Sequence, residues 1–264
     1  MRRILILFAL AAGLLAAAAP ASAATTWKGV VIAKDAQRGT VVTASSNGVV
    51  RTARSPKAAS LKIGQRLAVT GTRLADGTFK AATVKTSGRA KSARVKAVVV
   101  RWQKAQRRLL VSAGGSTFAL TRSAKVRTLS AVTETGPQPG DQIAATVSVA
   151  TGTAQATAVT TVGHLGTIEV EGILTKLVAG SSVELIVAKA GYVTFALPAG
   201  FVLPTGLAVF DKVSAKVSVG VDGKLTLLEL ESDGADDHDD DENDEDEDDD
   251  HDDHDDDDDH EDDD

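Results

Sequence analysis

Apolar and polar residues alternate in short runs between residues 24 and 232, and none of these runs keeps the 3.6-residue period of an amphipathic helix. The clearest runs cover residues 64–69, 140–145 and 210–215, where a turn precedes the alternation. A period of two is typical of a strand with one buried face. The pattern therefore predicts an all-β protein.

The alternating runs belong to an internal repeat with a period of roughly 70 residues. Its copies open with similar apolar segments at residues 28–32, 96–100 and 171–174, and β-branched segments follow at residues 39–43, 108–111 and 182–187. Each copy closes on a predicted two-residue hairpin turn, at Asp76-Gly77, Thr151-Gly152 and Asp222-Gly223. The repeat predicts about five strands per copy.

Five short strands in about 65 to 75 residues favour a small closed barrel. We predict three tandem antiparallel OB-like β-barrel modules at residues 24–88, 89–162 and 163–232. Polar linkers around residues 87–92 and 163–166 predict modest contact between modules, and residues 129–138 form a predicted loop. A single continuous β-sandwich of about 200 residues is the alternative.

Copy one has a turn-and-strand pattern at residues 29–31, 61–71 and 76–84. This pattern resembles a family of exported bacterial OB-like repeats of unknown function. The resemblance weakens in the later copies, where Ala97 and Phe210 replace glycines of the pattern. It implies an OB-like fold and export, and it implies no activity.

The N-terminus has the features of a secretory signal peptide. Arg2 and Arg3 precede an apolar run at residues 4–19, and the small residues Ala21 to Ala23 form a cleavage site. We predict a signal peptide at residues 1–23 and a protein that is secreted or associated with the cell envelope. Because no second long apolar run follows, we predict no membrane insertion.

Charge divides the chain into two opposed regions, although the formal net charge is only -7. Residues 236–264 contain 24 Asp or Glu, four His and one Asn, and therefore lack the apolar side chains that a folded core needs. We predict a disordered acidic tail at residues 233–264. Residues 24–235 hold 27 Lys or Arg against 12 Asp or Glu, and the excess lies in the first two modules.

The body of the chain offers little catalytic chemistry. The sequence has no cysteine, and the single histidine between residues 24 and 235 is His164, in a predicted linker. None of the common hydrolase, metalloprotease or nucleotide-binding motifs occurs. We therefore predict that the protein is not an enzyme.

The tail is the richest source of metal ligands. Carboxylates suit calcium, and imidazoles suit zinc. We predict weak, multivalent binding of divalent cations, calcium or zinc, and no other cofactor. The predicted ligands are His238, His251, Asp252, Asp253, His254 and His260.

The alternative function is binding of an anionic polymer by the cationic modules. The partner would be an envelope polymer, a polysaccharide or a nucleic acid, and the tail would shield the modules of its own chain or only keep the protein soluble. The predicted contact residues are Arg51, Arg54, Lys57, Arg101, Lys104, Arg107 and Arg108.

Overall fold

The computed structural model describes residues 23–128, 136–187 and 191–232, with side chains throughout except at residues 124–128. The predicted acidic tail, most of the predicted loop at 129–138 and all but the last residue of the predicted signal peptide lie outside these ranges. No helix in the described ranges is long and apolar enough to cross a membrane.

Fifteen strands form the described structure. The first five are β1 (Thr25–Asp35), β2 (Thr40–Ala44), β3 (Val50–Arg54), β4 (Gln65–Arg73) and β5 (Phe79–Arg89). The next five are β6 (Ser92–Gln103), β7 (Arg108–Ser112), β8 (Thr117–Thr128), β9 (Asp141–Ser148) and β10 (Gln155–His164). The last five are β11 (Thr167–Val178), β12 (Ser182–Val187), β13 (Gly191–Ala196), β14 (Lys212–Val219) and β15 (Leu225–Ser232).

Each group of five strands closes into a barrel, and all three barrels have one topology. In barrel 1 the strand order is β1-β2-β3-β5-β4, and β1 pairs with β4 to close the ring. Neighbouring strands are antiparallel except for a short parallel pairing of β3 with β5. This is the order of a five-stranded OB-like barrel. The predicted fold class is confirmed, and the single sandwich is excluded.

The closing hairpins are one residue longer than predicted. In barrel 1 the Leu74 amide donates to the Thr78 carbonyl (2.8 Å), and the Gly77 amide donates to the Leu74 carbonyl (3.1 Å). The loop therefore contains three residues and ends on Gly77, whose φ is 78°. A tight turn followed by a left-handed glycine is the usual three-residue hairpin. Barrel 3 repeats the arrangement at Gly220, Gly223 and Lys224.

Phe210 adopts a conformation that the other repeats give to glycine. Its amide donates to the Leu174 carbonyl, as the amides of Gly64 and Gly140 donate to Val31 and Val99. The three residues have φ values of 82°, 87° and 86°. A left-handed backbone is unfavourable for a residue with a bulky side chain, so Phe210 is strained.

The barrels pack more closely than the predicted modest contact, because two hydrophobic clusters each join two barrels. One hydrophobic cluster contains Val30 and Ile32 of barrel 1 together with Leu109 and Val147 of barrel 2. We call this cluster the barrel 1–2 core. A second cluster joins Val100 and Leu110 of barrel 2 to the interior of barrel 3, and we call it the barrel 2–3 core.

His164 does not lie in a linker, because it is the last residue of β10. Its Nδ1 atom lies 3.1 Å from Oδ1 of Asp141, the first residue of the neighbouring strand β9. The segments that join successive barrels are only two residues long, between β5 and β6 and between β10 and β11. Short connections of this kind hold neighbouring barrels against each other.

Candidate functional site

A basic groove of about 990 Å³ lies between barrels 1 and 2. Its charged residues are Lys28 of β1, Arg66 of β4, Lys85 of β5 and Arg94 of β6. All four are exposed. We refer to these four residues as the groove cations.

Strand register explains why three of these cations meet. Across β1 and β4, Lys28 lies opposite Ala68 and Val30 lies opposite Arg66. Ala68 in turn lies opposite Lys85 on β5. Because alternate residues of a strand point to opposite faces, the neighbours of Lys28 and Arg66 fill the barrel while the cations stay outside.

Barrel 2 supplies the opposite side of the groove through β6. The turn between β2 and β3 packs against this strand, and the Lys96 amide donates to the Gly48 carbonyl over 2.8 Å. Gly48 has a φ of 86°, which favours glycine, and a Cβ there would lie only 3.2 Å from Cγ of Lys96. The contact fixes Arg94 beside the end of β2, where Ser45 and Ser46 line the groove.

All the charged side chains that line the groove in the described structure are positive. In the described part of the chain, no carboxylate and no aromatic side chain lines it. Like charges along a concave surface sum to a positive potential that attracts anions. Without a ring on which a base could stack, recognition here would rest on phosphate, sulfate or carboxylate charge.

The seven cations predicted from the sequence to bind polyanions lie outside this groove. Arg51 stacks over the ring of Trp27 at 5.8 Å, and Arg101 donates to the Tyr192 carbonyl of barrel 3 at 2.9 Å. Arg54 and Arg108 line a different cavity, described below. Lys57, Lys104 and Arg107 are exposed near turns.

The sequence does contain a signal for the groove cations. Lys28 and Arg66 alternate with the apolar residues of β1 and β4, and strand pairing brings such outward positions together. Counting clustered basic residues along the chain misses this pattern, because the four cations are distant in sequence.

The predicted metal ligands His238, His251, Asp252, Asp253, His254 and His260 all lie outside the described residues. Within the described ranges, no group of three or more His, Cys, Asp or Glu side chains is placed to hold a metal ion.

Comparison with known proteins adds little to this geometry. No family model matches the chain, and no curated protein matches its sequence. Among solved structures it is similar to Drosophila Unr CSD456, with 12% identity over 79% of this chain and 97% of that one, at a TM-score of 0.21. It is also similar to a multidomain protein with nucleic acid binding domains from Streptococcus pneumoniae, with 12% identity over 77% of this chain and 72% of that one, at a TM-score of 0.23. Both TM-scores are low, so the fold assignment rests on the strand order of the chain itself.

Proposed function

We propose that this chain is an exported, non-enzymatic protein that binds anionic polymers in the groove between barrels 1 and 2. The observation that carries the proposal is the convergence of four exposed cations from four strands on one groove that no described carboxylate lines. Export is supported by the signal-like N-terminus and by the resemblance of copy one to exported OB-like repeats. An exported protein meets anionic envelope polymers before it meets nucleic acid.

Binding by this groove depends on charge and not on sequence. A polymer that contacts the groove cations releases its own bound counterions, and the affinity falls steeply as salt concentration rises. For a single-stranded polymer, four phosphate contacts correspond to a slope of about -3 in a plot of log affinity against log salt concentration.

Charge removal tests the groove directly. We would measure binding of polyphosphate and of heparin to the full chain and to a variant with Lys28→Gln, Arg66→Gln, Lys85→Gln and Arg94→Gln. The variant should bind at least about tenfold more weakly, with a salt slope close to zero.

A control variant with the same loss of charge carries Lys57→Gln, Lys62→Gln, Lys104→Gln and Arg107→Gln, all exposed and all outside the groove. It should keep most of the affinity. Equal losses in the two variants would show that net charge alone attracts the polymer, and the groove would then have no specific role.

The acidic tail supports a second function, binding of divalent cations. Residues 251–254 place two imidazoles and two carboxylates side by side, and carboxylates are dense on both sides of them. The tail would hold several calcium or zinc ions weakly. It would also compete with external polymers for the groove cations of its own chain.

Truncation separates these roles, because the last strand ends at Ser232 and a chain ending at Ala235 keeps all three barrels. Calcium and zinc would be titrated into both forms by calorimetry, at about 0.15 M salt. Ions bound only by the full chain would support the metal function, and equal titrations would contradict it. Polymer affinity at low salt should rise on truncation if the tail competes for the groove.

A further inference from the structure

A second cavity, of about 320 Å³, lies where all three barrels meet. It shares no lining residue with the groove between barrels 1 and 2. Its walls include apolar side chains from each barrel, among them Ile32, Phe118 and Val187. The exposed residues Gly152 and Thr153 form part of its rim, so solvent reaches it there. We call it the junction cavity.

The lining carries an excess of positive charge. Its charged residues are Lys34, Asp35, Arg38, Arg54, Arg108, Glu171 and Lys212. Five of them are basic and two are acidic. Asp76, just outside, accepts a 2.7 Å hydrogen bond from Arg54, and the balance stays positive with this carboxylate included.

A buried hydroxyl in the wall has no partner in the described structure. Thr52 is only 2% exposed and lines the cavity, and its Oγ1 atom makes no hydrogen bond to any described residue. Buried polar groups in folded proteins are nearly always paired, since an unpaired one loses its hydration without compensation. A ligand in the cavity would supply the missing partner.

The repeat shows that barrel 3 departs from its neighbours at this cavity. Glu171 occupies the position of Lys28 in barrel 1, because each precedes a glycine that lies opposite the first buried residue of the facing strand, Leu67 of β4 or Val213 of β14. Lys212 likewise occupies the position of Arg66. The pair of like charges in barrel 1 is thus a pair of opposite charges in barrel 3, half-buried against the other barrels.

Burial raises the pKa of Glu171 to about 7, against the attraction of Lys212. The negative charges of Asp76 and Glu169 raise the pKa of Glu171 further, and the positive charge of Arg54 lowers it. Burial also lowers the pKa of Lys212. Near neutral pH the Glu171 carboxyl in the cavity wall therefore gains a proton, and the positive excess grows.

We propose that the junction cavity binds a small oxyanion, of the phosphate or carboxylate type, which Arg108 and its neighbouring cations attract and to which the Thr52 hydroxyl donates. Each barrel contributes to the site, so only the assembled three-barrel unit holds the ligand. The Thr117 hydroxyl, which accepts a 2.9 Å hydrogen bond from the Glu171 amide, still has a proton to donate toward the cavity.

Sulfate and oxalate are suitable probes, because both stay fully ionised from pH 6 to 8.5. Sulfate represents tetrahedral oxyanions, and oxalate represents carboxylates. Each would be titrated into the full chain by calorimetry at constant ionic strength. We expect saturable binding of one equivalent of at least one probe, and the preferred probe identifies the geometry of the natural ligand.

Thr52→Val is the most specific variant, because it keeps the shape of the side chain and removes only the hydroxyl. It should weaken binding about tenfold, the value of one good hydrogen bond, while leaving the thermal midpoint unchanged or higher. Thr26→Val, at an exposed hydroxyl outside the cavity, is the matched control and should bind like the parent. Arg108→Gln should also weaken binding, and this second test does not depend on Thr52.

The pH dependence gives a second readout. Affinity for sulfate should rise as pH falls from 8.5 to 6, and Glu171→Gln should bind sulfate equally well across this range. The proposal is overturned if neither probe binds saturably, or if Thr52→Val and Arg108→Gln both bind like Thr26→Val. The groove variant described above keeps this cavity intact, so loss of polymer binding and loss of small-anion binding are separate results.

Discussion

Single residues at equivalent positions give the three repeats different properties. Phe210 takes a left-handed position that belongs to glycine in the other copies, and the residue is 79% exposed. Glu171 places a carboxyl where barrel 1 has Lys28. In both cases the backbone of the repeat is unchanged, so the effect of the side chain can be isolated by one substitution.

Phe210→Gly should stabilise the protein. Glycine adopts a φ of 82° without the clash that costs an L-residue roughly 1 to 2 kcal/mol, although it also loses more entropy on folding. We expect a net gain of about 1 kcal/mol in the free energy of unfolding, measured with urea. Phe210→Ala keeps the strain and should give no gain, and equal stabilities of the two variants would contradict this explanation.

Glu171→Gln should change the pH dependence of stability. The pKa of this carboxyl is about 7 in the folded chain and 4.5 in its ordinary state, so the unfolded chain loses the proton first. Native Glu171 therefore reduces stability progressively as pH rises from about 4.5 to about 7, and the loss is complete above that range.

The difference between Glu171→Gln and the parent should thus grow by about 2 kcal/mol between pH 4 and pH 8 in favour of the variant, a value reduced for partial solvent screening. Urea unfolding at the two pH values measures it. Glu231→Gln, at an exposed position of β15 in the same barrel, provides the control. A constant difference at both pH values would contradict the raised pKa.

At the scale of the element, the closing hairpins depend on an aspartate that supports the turn from its side chain. Oδ1 of Asp76 accepts hydrogen bonds from the Thr78 amide (2.8 Å) and hydroxyl (2.6 Å). Oδ1 of Asp222 accepts from the Lys224 amide at 3.0 Å. Burial acts to raise the pKa of Asp76, but the hydrogen bonds from Thr78 and Arg54 together hold this pKa below its usual value. Barrel 2 has Thr151 at this position.

Thr151→Asp should therefore stabilise the middle hairpin. The new carboxylate can accept from the Thr153 amide and hydroxyl, as Asp76 accepts from Thr78. We expect a gain of about 0.5 to 1 kcal/mol in the free energy of unfolding at neutral pH, and its loss below pH 4. Thr151→Asn keeps the shape without the charge and should show no such loss. If neither variant is stabilised, the hairpin loop of barrel 2 does not have the geometry of the loop in barrel 1.

The sequence predicts elements of this kind well, because their determinants are local. Alternation located the strands, and the Gly77 and Gly223 positions located the hairpins, with an error of one residue in loop length. The groove cations could not be found in the same way, since strand pairing and contact between barrels bring them together. The same is true of the junction cavity, to which Thr52 and Glu171 come from different barrels.

At the scale of the whole molecule, the barrels are joined by strands that are buried on both faces. In β7 the side chains of Leu109 and Val111 belong to the barrel 1–2 core, and Leu110, between them, belongs to the barrel 2–3 core. The sequence signal is three consecutive apolar residues instead of an alternation. Such runs indicate a covered outer face, which a chain of independent modules would not need.

Leu110 belongs to barrel 2, but Leu110→Ala should also destabilise barrel 3. Its side chain is fully buried against barrel 3, and a truncated leucine in such a site typically costs about 2 to 5 kcal/mol. Hydrogen exchange read by mass spectrometry should accelerate in β12 and β13 as well as in β7. Leu67→Ala, inside barrel 1, is the matched control. Because Leu67 belongs to neither shared core, this substitution should leave barrel 3 protected from exchange.

If Leu110→Ala accelerates exchange in barrel 2 alone, barrel 3 folds independently and the junction cavity cannot depend on all three barrels for its assembly. If β12 and β13 respond, the barrels form one cooperative unit, and ligands at the junction should stabilise all three together.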